Sequence, residues 1–377
     1  MSGITGMNIK MAIYGESHGR SIGVVLDGLP PGLQIDEEEI AREMARRAPG
    51  QNALSTARKE QDAVSIESGF FNGFTTGTPL CARIANSDQH SKDYSILADK
   101  MRPGHADYAG RVHYQGFNDY RGGGHFSGRI TAPLVFAGAV AKQALAQQGI
   151  VVGAHILQLQ DVQEKRFNPL GVTDAELQQL ASKSFAVMDD AVGEVMQQRI
   201  LQAKAELNSV GGVIEAMALH LPVGIGAPFF DSVESRLSQA LFSVPAVKGV
   251  EFGDGFGFAA LTGAEANDAM HYVDGRVECL TNHNGGITGG LTNGMPLVLR
   301  VAIKPTPSIA REQKTVSLKE QKDTTLTIVG RHDPCIAPRA ACVVNAVTAL
   351  VIADMLTTRF GTDYLKPEGK EKTWSTD

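Results

Sequence analysis

Ser21-Ile22-Gly23-Val24-Val25-Leu26-Asp27-Gly28-Leu29-Pro30-Pro31-Gly32 is the stretch on which the fold turns. The run from Ser21 to Leu29 predicts a strand. Pro30-Pro31-Gly32 ends it, because proline has no amide to donate to a ladder and glycine turns freely. Asp36 then stands three residues before Glu39, the spacing of a capping box, and Ile40, Met44 and Ala48 recur at helical spacing until Pro49-Gly50 stops the helix. Far downstream, Val213 to Leu219 predicts a strand running into Leu221-Pro222-Val223-Gly224. Asp231 precedes a helix around Val233, Leu237 and Leu241, and Val250 to Phe252 predicts the next strand. The two stretches echo each other as strand, turn and returning helix. An internal duplication around one core is therefore a candidate, with common turn chemistry as the alternative.

The segments between fit the same picture. A helix of mostly small residues is predicted from about Pro133 through Leu134, Val135, Ala137, Val140, Ala141 and Leu145 to Gly149. Thr173 to Lys204 predicts two surface helices, ended by Gly211-Gly212. Strands alternating with helices, taken alone, point to an α/β protein. At 377 residues and 43% hydrophobic, the chain can bury one large core or two ordinary ones. A net charge of −6 with no block of basic residues excludes a broad nucleic-acid surface. Cys81, Cys279, Cys335 and Cys342 have no C-x-x-C spacing, so no zinc site or disulfide framework is predicted. The start, MSGITGMNIKMA, has no apolar core of a leader, and no uncharged run approaches the ~20 residues of a membrane span. A soluble cytoplasmic protein is expected, with Lys366 to Asp377 as a mobile tail.

Chemistry concentrates in turns. Glu16-Ser17-His18 sits between Gly15 and Gly19, directly after the apolar run Met11-Ala12-Ile13-Tyr14. Arg102-Pro103-Gly104-His105-Ala106-Asp107 and Gly330-Arg331-His332-Asp333-Pro334-Cys335 repeat the arrangement of ionisable groups against glycine and proline. His18 and His105, each wedged beside glycine, are candidates for proton transfer near neutrality. His90, His113, His155, His220 and His271 read as structural histidines. Arg46 and Arg47 end the first helix, where its dipole alone favours a cation. Arg58, Lys59, Arg102, Arg121, Arg129, Arg331 and Arg339 lie in predicted loops, where a guanidinium suits bidentate capture of carboxylate or phosphate, although a solvated surface is the default for any one. Glycine-dense Arg121 to Arg129 and Asn282 to Gly290, with the turn Lys304 to Ser308, can present amides to a phosphate and leave room for a flat ring. None matches the dinucleotide fingerprint or the Walker loop.

These strings, in order, carry a resemblance: GESHGRSIGVVLDGLPPG (15–32), RRAPG (46–50), MRPGHADY (101–108), DYRGGG (119–124), NHNGGITGG (282–290), KPTPSI (304–309) and GRHDPCIAPRA (330–340). Together they resemble chorismate synthase over nearly the whole chain. The resemblance implies one domain spanning residues 1–377, an α+β sandwich with helices between two mainly antiparallel sheets, and a homotetramer. It implies a lyase that converts 5-enolpyruvylshikimate 3-phosphate to chorismate and phosphate by 1,4-anti elimination, using reduced FMN without net redox change. In that likeness His18 protonates the departing phosphate, His105 sits by the reduced flavin, and Asp333 helps a flavin nitrogen act as base, with Ser17 and Ser127 in the connecting hydrogen bonds. Arg46, Arg47, Arg129 and Arg331 hold the substrate's anions. His125, Phe126, Ser127, Gly289, Lys304, Pro305, Thr306, Pro307, Ser308 and Arg331 meet the flavin. No metal is implied.

Some positions depart from the family pattern. Ala48 and Ala53 stand where arginines are usual, His125-Phe126 where Arg-Ser is usual, and Pro245 where asparagine is usual. NADPH is a candidate reductant, but the arginine that would meet it at position 53 is missing; a separate flavin reductase is a candidate partner. Two other readings share these residues. A flavin-dependent oxidoreductase would use the same glycine loops but consume electrons with each turnover. A non-catalytic phosphometabolite-binding protein would need the arginines but neither histidine.

Overall fold

The computed structural model describes residues 3–50, 54, 62–86, 96–328 and 333–366. The expected mobile tail beyond Lys366 therefore lies outside the described residues. Two five-stranded sheets hold the chain together. The first orders its strands Ile4–Thr5, Lys10–Gly15, Ser21–Asp27, Leu80–Ala85, Val64–Ser68; the second orders Val162–Gln163, Val151–Leu159, Gly212–Leu219, Leu297–Ile303, Val247–Phe252. Every pairing in both is antiparallel. The alternation that suggested α/β thus resolves as α+β, because the helices do not serve as crossovers between neighbouring parallel strands.

Thr131–Ala146 and Ala337–Phe360 lie between the sheets and against each other, the former packing on the first sheet and the latter on the second. Both are apolar around most of their circumference and buried along most of their length, as a helix covered on all sides must be. They pack tightly at Gly138, where a Cβ would stand 2.2 Å from Cβ of Ala346 and 2.4 Å from its Cα. Ala337–Phe360 is long and apolar enough to cross a membrane, but that apolar window is 100% buried in the protein.

The two halves repeat each other hydrogen bond for hydrogen bond at one corner. In the first, Leu33 N donates to Thr75 Oγ1 (3.0 Å), Thr75 Oγ1 donates to the Pro30 carbonyl (2.6 Å) and Gly32 N donates to the Thr75 carbonyl (2.8 Å). In the second, Ile225 N donates to Thr292 Oγ1 (2.9 Å), Thr292 Oγ1 donates to the Pro222 carbonyl (2.6 Å) and Gly224 N donates to the Thr292 carbonyl (2.7 Å). Gly32 and Gly224 both take positive φ, +85° and +82°, which the turn demands and glycine supplies. Each corner leads to an 11-residue helix, Glu37–Arg47 or Val233–Ser243. The duplication is therefore structural, beyond shared turn composition.

Local details differ from expectation. Asp36 caps its helix by accepting from the amides of Glu38 and Glu39, but Glu39 does not reach back, because Gln143 Oε1 already takes the Asp36 amide at 2.7 Å. The reciprocal box forms instead at Thr173 and Glu176, ahead of Asp174–Ser182. Ser232, one residue past Asp231, caps the second-half helix. His155 is buried between Glu164 and Glu215 across the second sheet; both its nitrogens face carboxylates, which can only accept, so the ring is held as the cation and its pKa is raised despite burial.

Candidate active site

The turn Arg121–Phe126 is made of backbone that side chains resist: Gly122, Gly123 and Gly124 have φ of +59°, +85° and +55°. Space forbids side chains as well. A Cβ on Gly122 would stand 2.3 Å from the His18 ring, one on Gly123 3.2 Å from Cε1 and Nε2 of His105, and one on Gly124 2.0 Å from the Asp119 carbonyl oxygen. Adjacent Cα atoms are about 3.8 Å apart, so one peptide unit separates the backbone that covers His18 from that which covers His105. Ser17 and His18 are buried behind this loop, with the Ser17 amide donating to the Gly124 carbonyl at 3.1 Å. Among the described residues the buried Ser17 hydroxyl has no hydrogen-bond partner. His125 Nδ1 donates to the Gly15 carbonyl at 2.9 Å, which ties the glycine loop to the turn that carries His18.

In front of the loop opens a cavity of about 810 Å³. Its lining includes the cations Arg47, Arg102, Arg129, Arg339 and Lys304, with His105, Ser127 and Asp333. Arg47 and Arg129 grip the same carboxylate, Asp62, whose side chain is fully buried. Burial pushes Arg47 down to about 10, Asp62 opposes that, and Arg339 and Arg129 add to it. Burial alone would raise Asp62; the two guanidiniums outweigh it and hold its carboxyl below the ordinary value. Arg339 pairs with Asp333 and donates from Nε to the Arg47 carbonyl at 2.8 Å. Arg102 donates to both oxygens of Asp107 and to Ser308 Oγ, and Lys304 donates to the Gly104 carbonyl. Apolar Ile9, Met11, Ile13, Leu134, Val343 and Val347 also line the cavity. A hollow with both kinds of wall suits a polyanion and a flat apolar ring together.

Not every expected residue reaches it. Thr306, Pro307 and Ser308 line the cavity with Lys304, as do His125 and Phe126, whereas Ser17, His18 and Pro305 do not; Gly122, which packs on the His18 ring, lines it instead. Arg46 turns instead to Glu43 at 3.2 Å, and Glu43 also takes Lys142 at 2.6 Å. Gly289 sits in the turn between Ile287–Thr288 and Leu291–Thr292, outside the cavity lining. The Asn282 to Gly290 loop is a corner of the second half: Asn282 donates to the Pro169 and Pro296 carbonyls at 2.8 Å each and accepts from Gly286 N at 2.7 Å. Arg331, Arg58 and Lys59 lie outside the described residues. Conversely, Asp62 and Asp107 were not singled out. Asp107 lay within a quoted motif, but Asp62 follows a polar run with no periodicity to mark it. Among the described residues no group of three or more His, Cys, Asp or Glu could hold a metal ion.

The family model for chorismate synthase matches residues 9–357. The chain belongs to the chorismate synthase family. It is 45% identical over 355 residues to a chorismate synthase of Dehalococcoides mccartyi, covering 94% of this chain and 96% of that one. It is 46% identical over 351 residues to one of Pyrococcus abyssi, covering 93% and 96%. A crystal structure of a chorismate synthase superposes with a TM-score of 0.75 at 28% identity, covering 95% of this chain and 94% of that one. The chain is accordingly a lyase, and its reaction converts 5-enolpyruvylshikimate 3-phosphate to chorismate and phosphate. Against the family pattern, Ala48 is buried at the end of its helix, while His125, Phe126 and Pro245 line the cavity. Phe126 also packs on Asp107–His113, so close that a Cβ on Gly110 would meet its ring at 2.5 Å. Ala53 lies outside the described residues.

Proposed function

We propose that this cavity runs the elimination with reduced FMN against its apolar residues and the substrate's anions on its arginines. The observation that carries the reading is the pairing of a buried arginine cluster with two imidazoles packed against consecutive glycines. The residues fit the cofactor: Thr306 Oγ1 is buried with no hydrogen-bond partner among the described residues, and Thr306 lines the cavity together with Lys304 and Ser308. Lys304, Thr306, Pro307, Ser308, His125, Phe126 and Ser127 hold the flavin. When bound, reduced FMN would supply electron density to the substrate ring as phosphate leaves and recover it with the hydrogen lost from the neighbouring carbon, so that no net oxidation results. Arg47 and Arg129, pinned by Asp62, bind and orient the carboxylates and phosphate, joined by Arg331. His18 gives a proton to the departing phosphate. His105 sits beside the flavin and settles its protonation, and Asp333, held by Arg339, is the partner of the base. Arg46 and Gly289 act indirectly, the first by supporting Glu43 and the second by shaping the second-half turn.

The chain works as a homotetramer in the cytoplasm. Phe117, Phe229, Phe230 and Phe256, each at least 88% exposed, and the hairpin residues Met270 and Tyr272 supply apolar surface for copies to cover. Four free cysteines suit a reducing compartment. NADPH, directly or through a separate reductase, is the electron source. The test is phosphate release from 5-enolpyruvylshikimate 3-phosphate with dithionite-reduced FMN and no oxygen. Many turnovers per flavin support the reading. Stoichiometric electron consumption would mean an oxidoreductase, and unimpaired function of His18→Ala or His105→Ala would mean a binding protein.

A further inference from the structure

We infer that Asn86 is a positioning residue: its side-chain amide couples the turn that carries His18 to the guanidinium of Arg129, so that the acid and the anion site keep one fixed offset. This rests on the readings of His18 and Arg129 given above. Asn86 follows Leu80–Ala85, the strand paired with Ser21–Asp27, and its backbone amide donates to the Arg20 carbonyl at 3.2 Å. It therefore stands beside the point where the Glu16 to Gly19 turn enters its strand. Asn86 Nδ2 donates to the Glu16 carbonyl at 3.0 Å and to the Gly19 carbonyl at 2.9 Å. Both donors of the side-chain amide are spent on the two ends of the turn that holds Ser17 and His18.

The opposite end of the same group reaches the anion site: Asn86 Oδ1 accepts from Arg129 Nε at 3.1 Å. The amide sits one way round, since carbonyls need its donors and a guanidinium needs its oxygen. Arg129 also donates to Asp62 Oδ1 and, at 3.3 Å, to the Ala85 carbonyl, so its charge is held without Asn86. What Asn86 adds is the link to the turn. The turn's own bonds, Gly19 N to the Glu16 carbonyl at 3.0 Å and Ser17 N to the Gly124 carbonyl at 3.1 Å, touch no arginine. Arg129 lines the cavity and Asn86 does not, so any effect of Asn86 on turnover passes through the groups it holds.

The test is anaerobic phosphate release from 5-enolpyruvylshikimate 3-phosphate with dithionite-reduced FMN. Asn86→Ala should lower kcat by about 10², the cost of misplacing a reacting group by about 1 Å, with KM changed by less than about threefold because Arg129 keeps its other partners. Asn86→Asp, which keeps an acceptor for Arg129 but loses both donors to the turn, should lower kcat as far. In a His18→Ala background either substitution should change kcat by less than about threefold, since residues that act as one unit are not additive; a residue that only props up the fold would lower both backgrounds alike. Equal losses in the two backgrounds overturn the inference, and so does failure of both variants to give the wild-type circular dichroism, since Asn86 would then serve the fold alone. If His18→Ala leaves turnover intact, the reading of His18 itself is wrong. If His18→Ala loses turnover while Asn86→Ala keeps it, only the present inference falls.

Discussion

At the scale of single residues, the site is defined by what has been left out of it. Gly122 is the clearest case: any side chain there would displace the His18 ring and would need φ of +59°. Gly122→Ala should therefore lower kcat by about 10² or more, since a 1 Å misplacement of a reacting group costs that much, while circular dichroism and thermal unfolding show a folded protein. Gly263→Ala is the control, because among the described residues nothing lies within 4 Å of its added methyl and it stands outside the cavity lining; its kcat should stay within about twofold. Asp62 makes the opposite point, a charge whose removal strands two others. Asp62→Asn leaves Arg47 and Arg129 buried without their shared anion and should cost about 3–5 kcal/mol, read by urea denaturation. The sign of its pH dependence follows from the lowered carboxyl. The stability it contributes is present above the ordinary aspartate value of about 3.9 and is lost as pH falls through the lower folded value. The wild-type advantage over Asp62→Asn should shrink only in acid.

At the scale of elements, the sequence made some parts plain and hid others for physical reasons. Ser21–Asp27 and Glu37–Arg47 were legible because one carries a β-rich run with proline stops and the other a stripe at helical spacing with an acidic cap. Ala337–Phe360 gave no such stripe, because a helix covered on every side has no polar face to set a period. The order of strands within each sheet was also hidden, since partners such as Val24 and Ala82 lie far apart in sequence. The site was legible as motifs and not as geometry: His18, His105 and the glycine turn could be named, but the seating of Arg47 on Asp62 depends on packing no local pattern encodes. Two element-level outcomes follow. Gly138→Ala, which by helix propensity alone should stabilise by up to about 1 kcal/mol, should instead destabilise by about 1–3 kcal/mol, because its methyl meets the backbone of Ala346. Calorimetry would read this as a lower Tm. Thr75→Val and Thr292→Val each remove the same pair of buried hydrogen bonds and should cost similar amounts, about 1–3 kcal/mol, by urea denaturation. Unequal losses would mean the two corners bear different loads.

At the scale of the whole molecule, the repeated halves and the single cavity stand in tension. Each sheet draws its strands from one half, and each half supplies one of the two central helices. The cavity does not respect that division: His105, Ser127 and Arg129 come from the first half, and Lys304, Asp333 and Arg339 from the second. The halves meet at Gly149, an exposed residue at φ +70° with open space where a side chain would be. Severed at that point, the polypeptide should give two pieces, each inert on its own. Mixed, they should re-dock through Gly138 and Ala346 and recover phosphate release, which makes the seam a place where catalysis can be switched on by reunion.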